Sequence, residues 1–197
     1  MEVLGYGGIV RALRVPDRTG AVADVVLGYD DLGGYLDDPW FVGGLIGRFA
    51  GRIREGRFTL DGRACALDAN DGPHHLHGGR RGFHRRLWNV APFASSSGVG
   101  VTLRLEDDEA GGYPGRLDVR VSYPLTADAE WIVDYEATTD QPTVLNLTQH
   151  SYFNLAGPVG RDVLDHRLTV HADAFAEANA ALVPTGVLAT VERTPLD

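Results

Sequence analysis

Short apolar stretches alternate with polar residues along this chain, and turn residues separate them. Residues 9–15 alternate and run into Pro16-Asp17-Arg18-Thr19-Gly20, with Pro and Gly where a turn needs them. Residues 22–27 read as the returning strand, and residues 30–35 predict one short helical turn. Residues 57–60 and 63–67 flank Asp61-Gly62, the two-residue turn of a tight hairpin. Strands are predicted at 87–93, 99–105 and 117–123, with a small polar loop at 94–98. Residues 131–137 and 143–154 read as a further pair, joined by Thr138-Thr139-Asp140-Gln141-Pro142. A late strand at 167–171, a turn at Val183-Pro184-Thr185-Gly186 and a strand at 187–191 complete the pattern. The 25 glycines and 10 prolines interrupt the chain too often for long helices. Many short strands between such turns predict an all-β antiparallel sandwich or barrel.

One predicted strand breaks the pattern. Asn146-Leu147-Thr148-Gln149-His150-Ser151-Tyr152-Phe153-Asn154-Leu155 has the aromatic, alternating texture of a strand. Its alternating set Asn146, Thr148, His150, Tyr152 and Asn154 is polar or amphipathic throughout. A strand built only to fill a core would put apolar residues on its buried face. This face either looks at water or lines a cavity for something polar. Imidazole gives or takes a proton near neutral pH, so His150 is a candidate acid or base.

Two further polar segments stand out. In Asn70-Asp71-Gly72-Pro73-His74-His75-Leu76-His77-Gly78-Gly79, extended geometry would put His75 and His77 on one side. A metal site would then need an acid shortly afterwards, but Arg81 and Gly82 stand there, so no metal is expected. The choice left is a histidine contacting a small ligand or a Gly-rich turn with exposed histidines. In Gly47-Arg48-Phe49-Ala50-Gly51-Arg52-Ile53, two arginines offer donor forks suited to hydroxyls, carboxylates or phosphates, or are plain surface residues. No phosphate-cradling Gly-rich loop occurs, and Ser151 lacks a nucleophile elbow.

Composition narrows the classes. A net charge of −9 argues against nucleic acid as a partner. The cluster Arg80, Arg81, Arg85 and Arg86 reads as a solvated loop that pairs with the many acids. No apolar run approaches the roughly 20 residues of a membrane helix, so no membrane partner is expected. The N-terminus lacks a signal-peptide pattern, and Cys65 is the single cysteine, excluding an internal disulfide. These features predict a cytoplasmic protein.

The three polar segments are collinear with motifs of one family. Gly47 to Ile53, Leu76-His77-Gly78-Gly79 with Gly82-Phe83 and Trp88, Tyr113-Pro114-Gly115, and above all Asn146 to Leu155 resemble the aldose 1-epimerase (galactose mutarotase) family. Val183-Pro184-Thr185-Gly186 and Thr194-Pro195-Leu196-Asp197 match later landmarks of it. The resemblance implies a galactose mutarotase-like antiparallel β-sandwich, the supersandwich. Residues 1–197 would form the N-terminal portion of its single domain, incomplete at the C-terminus. It implies interconversion of α and β anomers of hexoses such as galactose and glucose, with a monosaccharide as partner and no metal or organic cofactor.

Carried over by motif, His150 resembles the general acid at the ring oxygen. His77 resembles the histidine that hydrogen-bonds the sugar near that oxygen, and Arg52 the arginine that holds sugar hydroxyls. His74 and His75 carry no such role and read as loop residues. Gly51 stands where the family usually has Asn. The family's general base, a Glu, matches no residue here, so a non-catalytic carbohydrate-binding relative, or an inactive fragment lacking that base, is one alternative. A hexose-6-phosphate 1-epimerase, with the loop from Arg80 to Arg86 touching phosphate, is another.

Overall fold

The computed structural model describes residues 1–96, 98–108, 110–157 and 162–197. Its largest unit is a four-stranded antiparallel sheet in the order Asn89–Ser95, Gly98–Asp108, Arg116–Thr126, Asp134–Thr139. The two central strands pair along their whole length, from Gly98 opposite Thr126 to Asp108 opposite Arg116. Period-2 alternation decides their faces. Leu103, Leu105, Leu117, Val119, Val121 and Tyr123 are buried, while Arg104, Glu106 and Asp118 between them are exposed. The buried face packs against Val10, Leu13, Val25, Val26, Leu45, Phe83 and Trp88 from the first half of the chain. Each large apolar side chain withdrawn from water stabilises this two-layer core by roughly 1.5–3 kcal/mol.

The remaining strands pair in two-stranded ribbons. Arg14–Pro16 pairs with Val22–Asp24, and Arg57–Leu60 pairs with Arg63–Ala66 across Asp61-Gly62, as the turn residues predict. The only α-helix among the described residues is Leu32–Leu36, capped by the Asp31 side chain accepting from Gly34 N–H. Residues 9–15 divide at Leu13 into Val10–Ala12 and Arg14–Pro16. Strand Asn89–Ser95 extends into the predicted loop at 94–98, of which residue 97 lies outside the described residues.

Three expectations fail. Residues 143–154 do not pair with 131–137. Asp134–Thr139 ends the large sheet beside Arg116–Thr126, and only Thr148–Gln149 is a strand, pairing with Leu45–Ile46. The long alternating face breaks up accordingly: Asn154 is buried and Phe153 is 47% exposed. The late strand is Ala174–Ala178, not 167–171, and it pairs with Pro184–Thr190. The turn falls earlier than Val183-Pro184-Thr185-Gly186, because the Asn179 carboxamide accepts from Ala181 and Val183 N–H and forms the bend there. Among the described residues, no helix is long and apolar enough to cross a membrane.

Candidate functional site

One segment, residues 41–53, organises every polar motif. It begins in a loop held by the buried Asp38 carboxylate, which accepts from Trp40 and Val42 N–H at 2.8 and 2.6 Å. Further on, Gly44 C=O accepts from His150 N–H at 2.9 Å, and Gly43 N–H donates to His150 C=O at 3.1 Å. The Gln149 carboxamide also donates to Gly43 C=O. Ala50 and Asn146 bond through both main chain and side chain. Arg52–Ile53 pairs antiparallel with His75–Leu76. The same strip of backbone therefore grips the His150 segment on one part and the His77 segment on another.

Glycine is required at one crossing. A Cβ on Gly78, at φ +82°, would lie 1.7 Å from Gly47 C=O. No side chain fits that approach, so Leu76-His77-Gly78-Gly79 can lie against Gly47 to Ile53 only with glycine at this position.

His77 and His150 come together with their ring centroids 5.4 Å apart. Phe41 lies against both, at 4.8 and 5.9 Å, and against His84 at 4.7 Å. Tyr152 flanks His150 at 5.2 Å. Phe41 and His77 both adopt left-handed backbone, φ +61° and +53°. For bulky residues that conformation costs about 1–2 kcal/mol each. Two strained residues in ring contact are the kind of outlier that accumulates at functional sites.

The His77 proton is fixed by its neighbours. Gly51 N–H donates to Nδ1 at 2.9 Å, so the neutral ring carries its proton on Nε2. Burial, with the charges of His150 and Arg52, pushes the His77 pKa down to about 4. The ring is therefore a neutral donor at physiological pH. Burial likewise pushes His84 down to about 3, and its Nδ1 has no partner among the described residues. Arg52 donates through Nε to Asp71 Oδ2 at 2.6 Å.

The histidine triplet of the sequence splits into three different roles. His74 Nδ1 accepts from Glu55 N–H. His75 is not a loop residue. It is fully buried, with Nε2 at 2.6 Å from Tyr113 Oη and Nδ1 at 2.7 Å from Asp68 C=O. The left-handed turn at His77 breaks the alternation that would have put His75 and His77 on one side. Arg48, too, is neither a surface residue nor an open fork. It is 1% exposed, with Nε and Nη2 on Asp107 Oδ2 at 3.0 and 2.7 Å and Nη1 on Pro114 and Gly115 C=O. Among the described residues, no three His, Cys, Asp or Glu are grouped as a metal would require.

Sequence reasoning missed Phe41, His84 and Asp71. Phe41 carries no signal, because its importance lies in a backbone angle. His84 stands among the arginines of the loop from Arg80 to Arg86, and Asp71 in a Gly-rich turn, where neither is marked out. A concavity of about 790 Å³ lies elsewhere, on the outer face of the four-stranded sheet between Arg104, Asp118 and Glu136.

Known proteins share this fold. The family model described as aldose 1-epimerase matches residues 1–197. The chain is 45% identical over 197 residues to galactose mutarotase from Bos taurus and 34% identical to aldose 1-epimerase from Escherichia coli (strain K12). Each match covers all of this chain and 56% of the relative, so the chain spans about half the length of these curated relatives. A solved GalM/aldose epimerase homologue from C. elegans superposes with a TM-score of 0.90 at 33% identity, over 99% of this chain and 59% of that one. Galactose 1-epimerase from Lactobacillus acidophilus NCFM gives 0.86 at 30% identity, over 99% and 56%.

Proposed function

Because the chain belongs to the aldose 1-epimerase family, we propose that residues 41–53, 75–77 and 146–152 bind an aldohexose and supply the acid side of its ring opening. The observation that carries this reading is the His77–His150 pair, 5.4 Å apart beside Arg52, with His77 held neutral. Anomer exchange needs a proton delivered to the ring oxygen and a proton removed from the C1 hydroxyl. The open aldehyde then turns about C1–C2, and the steps reverse. His150 delivers the proton, His77 donates from Nε2 to a sugar oxygen near it, and Arg52 holds hydroxyls through Nη groups that no other described residue occupies. Galactose and glucose are the expected substrates.

No residue here is assigned as the base. Asp71, whose charge acts on His77, has its carboxylate on Arg52. That commitment favours one second reading, sugar binding without turnover by these residues alone. Arg86 tells against a phosphate site in the arginine loop, because its guanidinium is taken by Asp107 Oδ1 and Glu106 C=O.

Polarimetric mutarotation of α-D-galactose and α-D-glucose separates the readings. A rate above buffer that His150→Ala lowers by about 10²–10⁴ matches a general acid. Binding with a buffer rate selects the second reading. Neither binding nor rate removes both.

A further inference from the structure

Arg52 is held by a single bond that leaves most of its donors open. Its Nε donates to Asp71 Oδ2 at 2.6 Å, and no hydrogen bond to another described residue occupies Nη1 or Nη2. Arginine presents five N–H donors, and the Nη groups form the fork that meets a bidentate ligand. Asp71 therefore takes a donor on the side of the guanidinium and spares four. Arg48, in the same segment, has all three nitrogens occupied.

Both partners sit on pinned backbone. Arg52 lies opposite Leu76 in a two-stranded ribbon. Asp71 and His74 exchange N–H···O=C bonds at 3.1 and 2.9 Å, closing the turn that carries the carboxylate. The Asn70 carboxamide clamps that turn to Leu76, donating to its C=O and accepting from its N–H at 2.9 and 2.8 Å. The same short ribbon thus fixes Asp71, Arg52 and His77 relative to one another. At 21% and 36% side-chain exposure, the pair adds little to stability. What it supplies is orientation, because a free arginine side chain samples many rotamers.

We propose that Asp71 is a positioning residue for ligand binding: it locks the Arg52 guanidinium by Nε so that the Nη fork is preset toward the hydroxyls of a sugar beside His77. The identity of the ligand rests on the proposed function; the locking of Arg52 does not.

The test measures D-galactose affinity by NMR titration, with the Arg52 Nε–H resonance observed in the same samples. Asp71→Asn is expected to weaken galactose binding about tenfold, with Asp71→Glu recovering part of the loss. In an Arg52→Ala background, Asp71→Asn should weaken binding no further. An equal loss in both backgrounds overturns the proposal, since Asp71 would then act independently of Arg52. Thermal melts of Asp71→Asn should match the parent, and a large drop would make the residue structural. The Arg52 Nε–H signal should exchange slowly in the parent and broaden away in Asp71→Asn. If the chain binds no galactose, the sugar reading fails, yet the Nε–H signal still decides: its persistence in Asp71→Asn overturns the locking.

Discussion

Arg48 and Arg52 stand four positions apart in one segment, yet they belong to two different regions. Around Arg48 the chain builds a closed polar hub. Asp107 accepts from Arg48 and from Arg86, Pro114 and Gly115 carbonyls take Nη1, and Tyr113 places its ring 5.5 Å from the guanidinium. His75 joins the hub through Tyr113. Around Arg52 the polar groups are left open: an arginine with one bond, a histidine with a fixed donor, and a second histidine beside it. Saturation separates the two. A buried charge must have its partners from the protein, or folding fails. A charge meant for a ligand keeps donors unspent.

The largest expected effect tests the closed side. Arg48→Ala leaves Asp107 buried with one charged partner and strips the Pro114 and Gly115 carbonyls of their donor, so it should destabilise by about 3–5 kcal/mol or prevent folding. Chemical denaturation checks this. A loss under 1 kcal/mol would dissolve the distinction between the regions. Tyr113→Phe comes next: it removes the hydroxyl that partners His75 Nε2 and should cost about 1–3 kcal/mol in the same measurement.

Arg52→Ala should cost under about 1 kcal/mol of stability, because its ion pair is partly exposed. Its effect should fall on sugar affinity instead. Large destabilisation by Arg52→Ala would place it with Arg48.

The buried histidines also set a pH slope. His77 and His84 have folded pKa values near 4 and 3, below the ordinary 6.5. The unfolded chain therefore binds more protons through that interval. Their contribution to stability is full above pH 6.5 and falls as the pH drops toward 4 and then 3. Melting temperature should decline over this window, and His84→Phe should flatten the decline. An unchanged slope in that variant would show that His84 is not held neutral by burial.

How much of this the sequence disclosed depends on how local each cause is. The 57–66 hairpin was legible because Asp61-Gly62 specifies its own turn. The central strands were legible from alternation. Residues 148–149 were assigned the wrong partner because Leu45–Ile46 lies far upstream, and nothing in either stretch encodes the other. His75 and His77 looked equivalent until the positive φ at His77 turned one inward and left the other in the open cluster. Arg48 and Arg52 looked alike for the same reason. Only the fold delivers Asp107, Pro114 and Gly115 to one of them. The motif around His150 survived the loss of its strand. Gly43 and Gly44 hold it by main-chain bonds that do not depend on a long ladder.

The central claim is that the open region, not the closed hub, receives a sugar. Histidine side-chain NMR during a D-galactose titration tests it most directly. Saturable shifts of the His77 Nε2–H and of the His150 ring are expected, with the buried His75 unmoved. Shifts at His75 or the Arg48 hub, or no change at His77 and His150 at saturating sugar, would contradict it.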